Sequence, residues 1–187
     1  MNIARRARLL YVVGPSGAGK DSLLRWLRPR LRRGVRIAPR VTTRPLRGQR
    51  PAAERVVSLE RFDALARRGA FVLAWQANGH HYGVPRVIGR WLARGEIVFV
   101  NGSRACLAEA RRRFAQLETV LVTAPVRRLR ERLERRARET PAEIAARLAR
   151  NDAFARALRP AHRIANDGRL ESAGRALLRR LGRRARR

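Results

Sequence analysis

Cysteine, aromatic residues and long apolar runs are all scarce in this 187-residue chain, and each scarcity excludes a class of protein. Cys106 is the only cysteine, so no disulfide can form within the chain, and we expect a cytoplasmic protein. Aromatic residues make up 5% and do not alternate with basic ones, as they do where proteins stack nucleic-acid bases. No apolar stretch approaches the ~20 residues of a membrane-spanning helix, and none reads as a signal peptide.

Acidic residues are also few, and this gives the chain an extreme charge. Fourteen Asp and Glu stand against 45 Lys and Arg, a formal net charge of +31. The excess fits either a nucleic-acid binder or an arginine-rich enzyme that handles polyanions. Because the arginines are spread along the chain, we favour the enzyme, with nonspecific adhesion to nucleic acid as a side effect. The sequence leaves the oligomeric state open.

Lysine occurs once, as Lys20, so the other 44 of the 45 basic residues are arginines. It ends the glycine-rich run Gly14-Pro15-Ser16-Gly17-Ala18-Gly19-Lys20. The spacing Gly-x4-Gly-Lys, after the apolar run Leu9–Val13 and before an amphipathic helix, is typical of a phosphate-binding loop. Its backbone amides and the helix N-terminus direct positive charge at an anion. We therefore predict a nucleotide-phosphate site over residues 14–22.

The residue after the lysine departs from the usual pattern. A Ser or Thr normally stands there and places its hydroxyl on Mg²⁺, but here Asp21 follows and Ser22 comes one residue later. A carboxylate is a hard oxygen ligand, so Asp21, with Ser22, is a candidate Mg²⁺ ligand. Alternatively, Asp21 only complements the N-terminus of the helix.

Alternating strand and helix patterns predict an α/β fold with a parallel sheet covered on both faces. Strands are expected at 9–13, 96–100, 118–122 and 163–165, and helices at 21–31, 84–93, 104–115, 126–137, 141–158 and 170–181. We expect one domain, with a core of about 8–39, 84–136 and 142–181, a substrate-binding insertion at about 40–83, a lid at about 137–141 and a basic tail at 182–187. A further strand is expected at 71–75 within the insertion.

Arginines on two helices suggest the lid. Four of them share one helix face: Arg128, Arg132, Arg135 and Arg136. Thr140 is a plausible N-cap and Pro141 a first-turn residue of the next helix, from which Arg147 and Arg150 project. Two such helices can close over a triphosphate. The alternative is a solvated helix face balanced by its glutamates.

Together these motifs resemble the guanylate kinase family, over roughly residues 9–181. Within it, the chain is most similar to the ribose 1,5-bisphosphate phosphokinases of the phosphonate degradation pathway. The segments that carry the resemblance are Gly-Pro-Ser-Gly-Ala-Gly-Lys-Asp-Ser (14–22), Val-Thr-Thr-Arg-Pro (41–45), Ala-Asn-Gly-His-His-Tyr-Gly-Val (77–84), Val-Asn-Gly-Ser-Arg-Ala (100–105) and Asn-Asp-Gly (166–168).

The resemblance implies a P-loop kinase that uses ATP and Mg²⁺ to phosphorylate ribose 1,5-bisphosphate. It implies nucleotide contacts from the loop and from Asn166, with catalytic residues Lys20, Arg132, Arg136 and Arg147. Acceptor contacts would come from Arg44, Arg47, Tyr82 and Asn101, with Arg40 nearby. The resemblance implies that Arg50 and Leu73 stand where guanylate kinases read guanine with carboxylates. It also implies that Phe99 and Asn101 stand at the acidic positions that end the central strand in that family. The alternatives are a nucleoside monophosphate kinase, and an inactive module that binds nucleic acid or protein.

Overall fold

A five-stranded, all-parallel sheet forms the centre of the chain. The computed structural model describes residues 7–45, 53–135 and 140–183. The strands are β1 Arg8–Val13, β2 Val35–Ile37, β7 Ile97–Asn101, β8 Leu117–Thr123 and β9 His162–Ala165, and their order in the sheet is β2-β7-β1-β8-β9. The apolar run predicted to be a buried strand is β1, and it occupies the middle of the sheet. Leu9–Val13 is fully buried because helices cover both faces.

The covering helices divide the core into two clusters. They are α1 Lys20–Leu27, α3 Val87–Ala93, α4 Leu107–Arg113, α5 Val126–Glu134, α6 Pro141–Ala157 and α7 Leu170–Arg183. Side chains of α1, α5 and α7 pack with Leu10 and Val12 on one face. Those of α3 and α4 pack with Leu9, Tyr11 and Val13 on the other. Successive residues of β1 thus serve opposite faces, as the pleat of a strand requires.

One helix, α6, belongs to both clusters. Ile144 and Leu148 pack on the first face, whereas Phe154 and Leu158 pack on the second. The helix therefore crosses an edge of the sheet between these pairs. Arg104, in the loop directly after β7, lies against Phe154, which places the crossing at the carboxyl ends of the strands. In open α/β sheets this edge is where ligands bind.

A second, four-stranded sheet is formed by residues 40–85, in the order β4-β3-β6-β5. Its elements are β3 Arg40–Thr42, β4 Glu54–Val56, helix α2 Leu59–Arg67, β5 Phe71–Ala77 and β6 His80–Pro85. Strands β5 and β6 form a hairpin that turns at Asn78 and Gly79, both with positive φ. An Asn-Gly pair favours this tight turn because both residues tolerate the left-handed conformation.

The predicted α/β fold with a parallel sheet is confirmed, and the predicted helix ends are the least accurate part. The helix expected to start at Val84 starts at Val87, because Val84 and Pro85 are the last residues of β6. The helix expected to reach Leu31 ends at Leu27, and a 3-10 turn with Pro29 follows. The helix expected from Arg104 begins at Leu107. The short strand β2 and the helix α2 were not predicted.

Candidate nucleotide and acceptor site

The glycine-rich loop lies between β1 and α1, where its backbone takes conformations that favour glycine. Gly14 and Gly19 have φ values of 154° and 85°. A Cβ at Gly14 would overlap the carbonyl oxygen of Val122 on β8, and one at Gly19 would overlap the side-chain amide of Asn166. The glycines are therefore required by close approach as well as by φ.

Lys20 is the first residue of α1, and its ammonium lies across the loop. Its Nζ donates hydrogen bonds to the carbonyl oxygens of Gly14, at 2.8 Å, and Pro15, at 3.0 Å. The predicted phosphate-binding lysine is thus next to the loop backbone and partly buried. A point charge on a rotatable stem can move from these carbonyls to a phosphate oxygen without rearranging the loop.

Two side chains from other elements brace the outer side of the loop. Arg132 of α5 donates from Nη1 to the Gly17 carbonyl at 2.7 Å, and Asn166, after β9, donates from Nδ2 to the Ala18 carbonyl at 2.7 Å. Beside them is a cavity of about 390 Å³, which Ser22, Arg135 and the residues after Asn166 also line. The structure therefore brings the predicted nucleotide residues Ser22 and Asn166 and the predicted catalytic residue Arg132 to one cavity.

The Thr-Thr-Arg segment is fixed to the second sheet through its threonines. The Arg44 backbone N–H donates to Thr42 Oγ1 at 3.0 Å. Thr43 and His81 are joined by two bonds, from Thr43 N–H to the His81 carbonyl and from His81 N–H to Thr43 Oγ1. The predicted acceptor residue Tyr82 is buried, and its ring stacks on Trp75 with centroids 5.6 Å apart. Arg44 is therefore a half-buried residue on a rigid support.

Asp21 and Asn101 meet between the two sheets. Asn101, the last residue of β7, donates from Nδ2 to Asp21 Oδ1 at 2.6 Å, and Arg40 Nη2 lies 3.5 Å from the same oxygen. Arg40 also donates from Nε and Nη2 to Glu54 Oε1, at 2.8 and 2.5 Å. Arg40 was expected near the acceptor, but its charge is balanced by these two carboxylates. Sequence reasoning missed Glu54 because it lies outside the motifs and because nothing in the sequence relates it to Arg40.

The helix that carries Arg147 begins where it was predicted to begin. Thr140 is the N-cap, Pro141 is in the first turn, and Glu143 completes a capping box with Thr140. These hydrogen bonds hold the pKa of Glu143 below its usual value. Arg147 Nη2 donates to Asn78 Oδ1 at 3.3 Å, which joins α6 to the hairpin of the second sheet. The sequence analysis named Asn78 only as part of the segment 77–84 that carries the family resemblance.

The remaining predicted residues have two outcomes. Arg47 and Arg136, with Arg50 and residues 137–139 of the lid, lie outside the described residues. Of the two positions expected to have lost guanine-reading carboxylates, the structure describes Leu73, which is 1% exposed and belongs to the core. Phe99, at a position expected to be acidic in guanylate kinases, is also buried in the core.

Cys106 does not supply a nucleophile to this site. Burial, followed by the nearby Glu109 carboxylate, raises the pKa of the Cys106 thiol to about 11. The thiol therefore stays protonated near neutral pH.

Among the described residues, no helix is both long enough and apolar enough to cross a membrane.

Comparisons with known proteins point to one family. The chain is 49% identical over 177 residues to ribose 1,5-bisphosphate phosphokinase PhnN of Pseudomonas paraeruginosa, covering 94% of this chain and 95% of the relative. It is 48% identical over 179 residues to the protein of that name in Azotobacter vinelandii, covering 95% and 97%. No protein-family model matches. The fold resembles a guanylate kinase from Anaplasma phagocytophilum, with a TM-score of 0.69 at 20% identity over 96% of this chain and 87% of that one.

Proposed function

The chain belongs to the ribose 1,5-bisphosphate phosphokinase family and is therefore a kinase, and from this premise we propose its reaction. It transfers the γ-phosphoryl group of ATP to the 1-phosphate of ribose 1,5-bisphosphate, which forms 5-phospho-α-D-ribose 1-diphosphate and ADP in phosphonate catabolism. The observation that supports this most strongly is the identity of 48–49% to relatives of that name over nearly the whole chain. We also propose that the protein is cytoplasmic.

On the donor side, the residues that would act on ATP lie around the loop. The loop amides and the N-terminus of α1 would bind the phosphates, while Lys20 would leave its two carbonyl partners to bridge the β- and γ-phosphates. Arg132 is already held at the loop by the Gly17 carbonyl. We propose that it stabilises the charge on the phosphoryl group during transfer, with Arg147 from α6 and Arg136 completing the set.

Mg²⁺ would supply charge neutralisation between the phosphates, and the residues present fit it. Ser22 lines the donor cavity, and the Asp21 carboxylate is half exposed, with one oxygen engaged by Asn101. If Asp21 organises the metal, Asp21→Ala will raise the Mg²⁺ concentration for half-maximal rate more than the KM for ATP, and Asp21→Ser will partly restore it. An unchanged Mg²⁺ titration with a higher KM for the acceptor would instead assign the carboxylate to the acceptor side.

On the acceptor side, positioning and electrostatics would carry the rate. We propose that Arg44 and Arg47 bind a phosphate of the acceptor, with Tyr82 and Asn101 beside it. An acceptor phosphate is already largely ionised near neutral pH, so the reaction needs no strong general base. The buried, apolar Leu73, at a position where guanylate kinases are expected to read guanine, favours an acceptor without a base over a nucleoside monophosphate.

The test compares acceptors with one enzyme preparation. With ATP and Mg²⁺, kcat/KM is measured for ribose 1,5-bisphosphate and for GMP by coupled ADP release. We expect GMP to be worse by on the order of 10³-fold, because its base would leave polar groups unpaired in this site. If GMP matches the bisphosphate, the guanylate kinase function takes the place of this proposal.

A further inference from the structure

Arg104 ends the Asn-Gly-Ser-Arg stretch, and none of the roles above uses it. It lies in the loop after β7, at the carboxyl edge of the parallel sheet. The loop is hydrogen-bonded to the neighbouring strand β1. Gly102 N–H donates to the Val12 carbonyl at 2.9 Å, and Ser103 N–H donates to Tyr11 Oη at 3.0 Å. Tyr11 Oη in turn donates to the Ser103 carbonyl. The two residues that precede Arg104 are therefore held in place by two buried residues of β1.

The side chain of Arg104 extends to the helix that crosses this edge. Its guanidinium lies 5.3 Å from the ring centroid of Phe154 on α6. Arg150 and Arg147 precede Phe154 by one turn and two turns, so they share this side of the helix. Side chains of a helix lean toward its N-terminus, which brings these two arginines toward the Arg104 guanidinium. Burial, and then the charges of Arg147 and Arg150, lower the pKa of Arg104.

Two of these three arginines have no acidic partner in the part of the chain that the structure describes. Within residues 7–45, 53–135 and 140–183, no carboxylate makes an ion pair with Arg104 or Arg150. Glu143, in the turn before Arg147, caps α6 and interacts with the charge of Arg147 rather than with these two. Like charges at this spacing oppose folding. An arrangement of this kind is expected where an anion binds.

A buried amide on the same helix is a second, independent observation. Asn151 is 3% exposed and lies between Arg147 and Phe154 on the buried side of α6. Neither its Oδ1 nor its Nδ2 has a hydrogen-bond partner in the part of the chain that the structure describes. A buried amide without partners costs about 1–3 kcal/mol, so its presence at this crossing favours a polar function there over packing.

We propose that Arg104 and Arg150, beside Arg147, form a second anion subsite that binds one phosphate of a doubly phosphorylated acceptor. The bond from Arg147 to Asn78 places this subsite on the acceptor side of the edge, away from the donor cavity beside Asn166. The inference rests on the proposed function and makes Arg104 a specificity-determining residue. A bisphosphate engages both the Arg44 segment and this subsite, whereas a nucleoside monophosphate has only one phosphate to offer.

The test uses Arg104→Met, which keeps an apolar stem against Phe154 and removes the charge. Arg112→Ala, on the exposed side of α4, is the matched control for the loss of one positive charge. We expect Arg104→Met to raise the KM for ribose 1,5-bisphosphate by about tenfold or more, the loss of a charge-assisted hydrogen bond, and to leave the KM for ATP unchanged. Arg112→Ala should change neither. An unchanged acceptor KM in Arg104→Met would overturn the proposal.

Two monophosphates identify which phosphate is bound. Ribose 5-phosphate and ribose 1-phosphate are titrated by calorimetry against the unaltered chain and both variants, without nucleotide. We expect Arg104→Met to weaken one of them by about tenfold and to spare the other. An equal loss for both in Arg104→Met and Arg112→Ala would mean that only long-range attraction was removed, and would overturn the subsite.

The same titration separates the subsite from the reaction. If the unaltered chain binds the sugar phosphates through Arg104 but does not phosphorylate the bisphosphate, the proposed function fails and the subsite stands. If the bisphosphate is phosphorylated equally well by Arg104→Met, the subsite fails and the function stands. Thermal unfolding of each variant shows that the fold is retained.

Discussion

The proposed donor side and the proposed acceptor side of this site are built in different ways. On the donor side, backbone groups of residues 14–20 form the site, and Arg132 and Asn166 brace the loop through its carbonyl oxygens. On the acceptor side, pairs of side chains from distant segments form the connections, such as Arg40 with Glu54 and Arg147 with Asn78.

This difference has a consequence for how the site can vary. A backbone cradle depends on glycines that accept no side chain, so it tolerates little change. Side-chain pairs can be exchanged one at a time, which allows the acceptor to change while the donor stays the same.

The largest effect is expected at the one lysine. Lys20→Ala should lower kcat by about 10³-fold or more while the fold is retained, because the moving point charge is lost. Lys20→Arg should fail nearly as badly, since a planar fork does not fit the same path. Single-turnover rates and thermal unfolding check this. If Lys20→Arg turns over as fast as the unaltered chain, the prediction that this position requires a lysine rather than an arginine is wrong.

A pair of glycine variants tests the donor side against the acceptor side. Gly19→Ala should raise the KM for ATP by about tenfold or more, because the new Cβ displaces Asn166 from the loop. Gly79, at the hairpin, has a similar φ of 73° but open space around its Cβ position. Gly79→Ala should therefore cost only about 1–2 kcal/mol of backbone strain and leave the KM for ATP unchanged. Equal values of KM for ATP in both variants would contradict the comparison.

The acceptor side should respond to loss of Arg44 alone. Arg44→Ala should lower kcat/KM for ribose 1,5-bisphosphate by about 10- to 100-fold, the value of one or two charge-assisted hydrogen bonds. The KM for ATP should stay within about twofold, since the donor loop does not depend on this residue. Arg55→Ala, an exposed arginine on the neighbouring strand β4, is the control. A parallel loss of ATP affinity would show that the two sides are not separable.

The smallest effect is expected at the contact between α6 and the hairpin. Asn78→Gly removes the amide that accepts from Arg147 and keeps the left-handed turn. Because this hydrogen bond is long and exposed, kcat should fall by only about two- to fivefold. The KM for ATP and the free energy of unfolding should hardly change. Pre-steady-state rates measure the effect, and an unchanged kcat would mean that Asn78 does not position Arg147.

The donor side was predictable because its signal is local. Nine consecutive residues with fixed spacing predicted the loop, and the strand and helix on either side followed from simple periodicity. The N-cap at Thr140 was equally readable, because a capping box involves only four residues. The strand β2 was missed because three residues carry too little pattern. The end of β6 was read as helix because Val84–Pro85 joins a strand directly to α3.

The acceptor side was predictable only where a motif resembled a known family. Arg44 and Tyr82 were named from such motifs, whereas Glu54, Asn78 and Arg104 were not assigned a role. Arg40 was placed near the acceptor, but its pairing with Glu54 and Asp21 depends on residues 14 and 19 positions away. No helix or strand periodicity relates these positions, so the sequence pattern could not predict that Arg40 contacts these two carboxylates.

By itself, the sequence determined the class of fold and the glycine-rich loop that ends at the only lysine, because these depend on short-range spacing and on glycine stereochemistry. Only the tertiary structure decided which charges meet. In the folded chain Arg40 lies between the carboxylates of Asp21 and Glu54, Asn101 donates to Asp21, and Arg104 lies near two arginines of α6. The physical reason is that electrostatic energy depends on the distance between charges and on their burial, and both are set only when distant segments pack together.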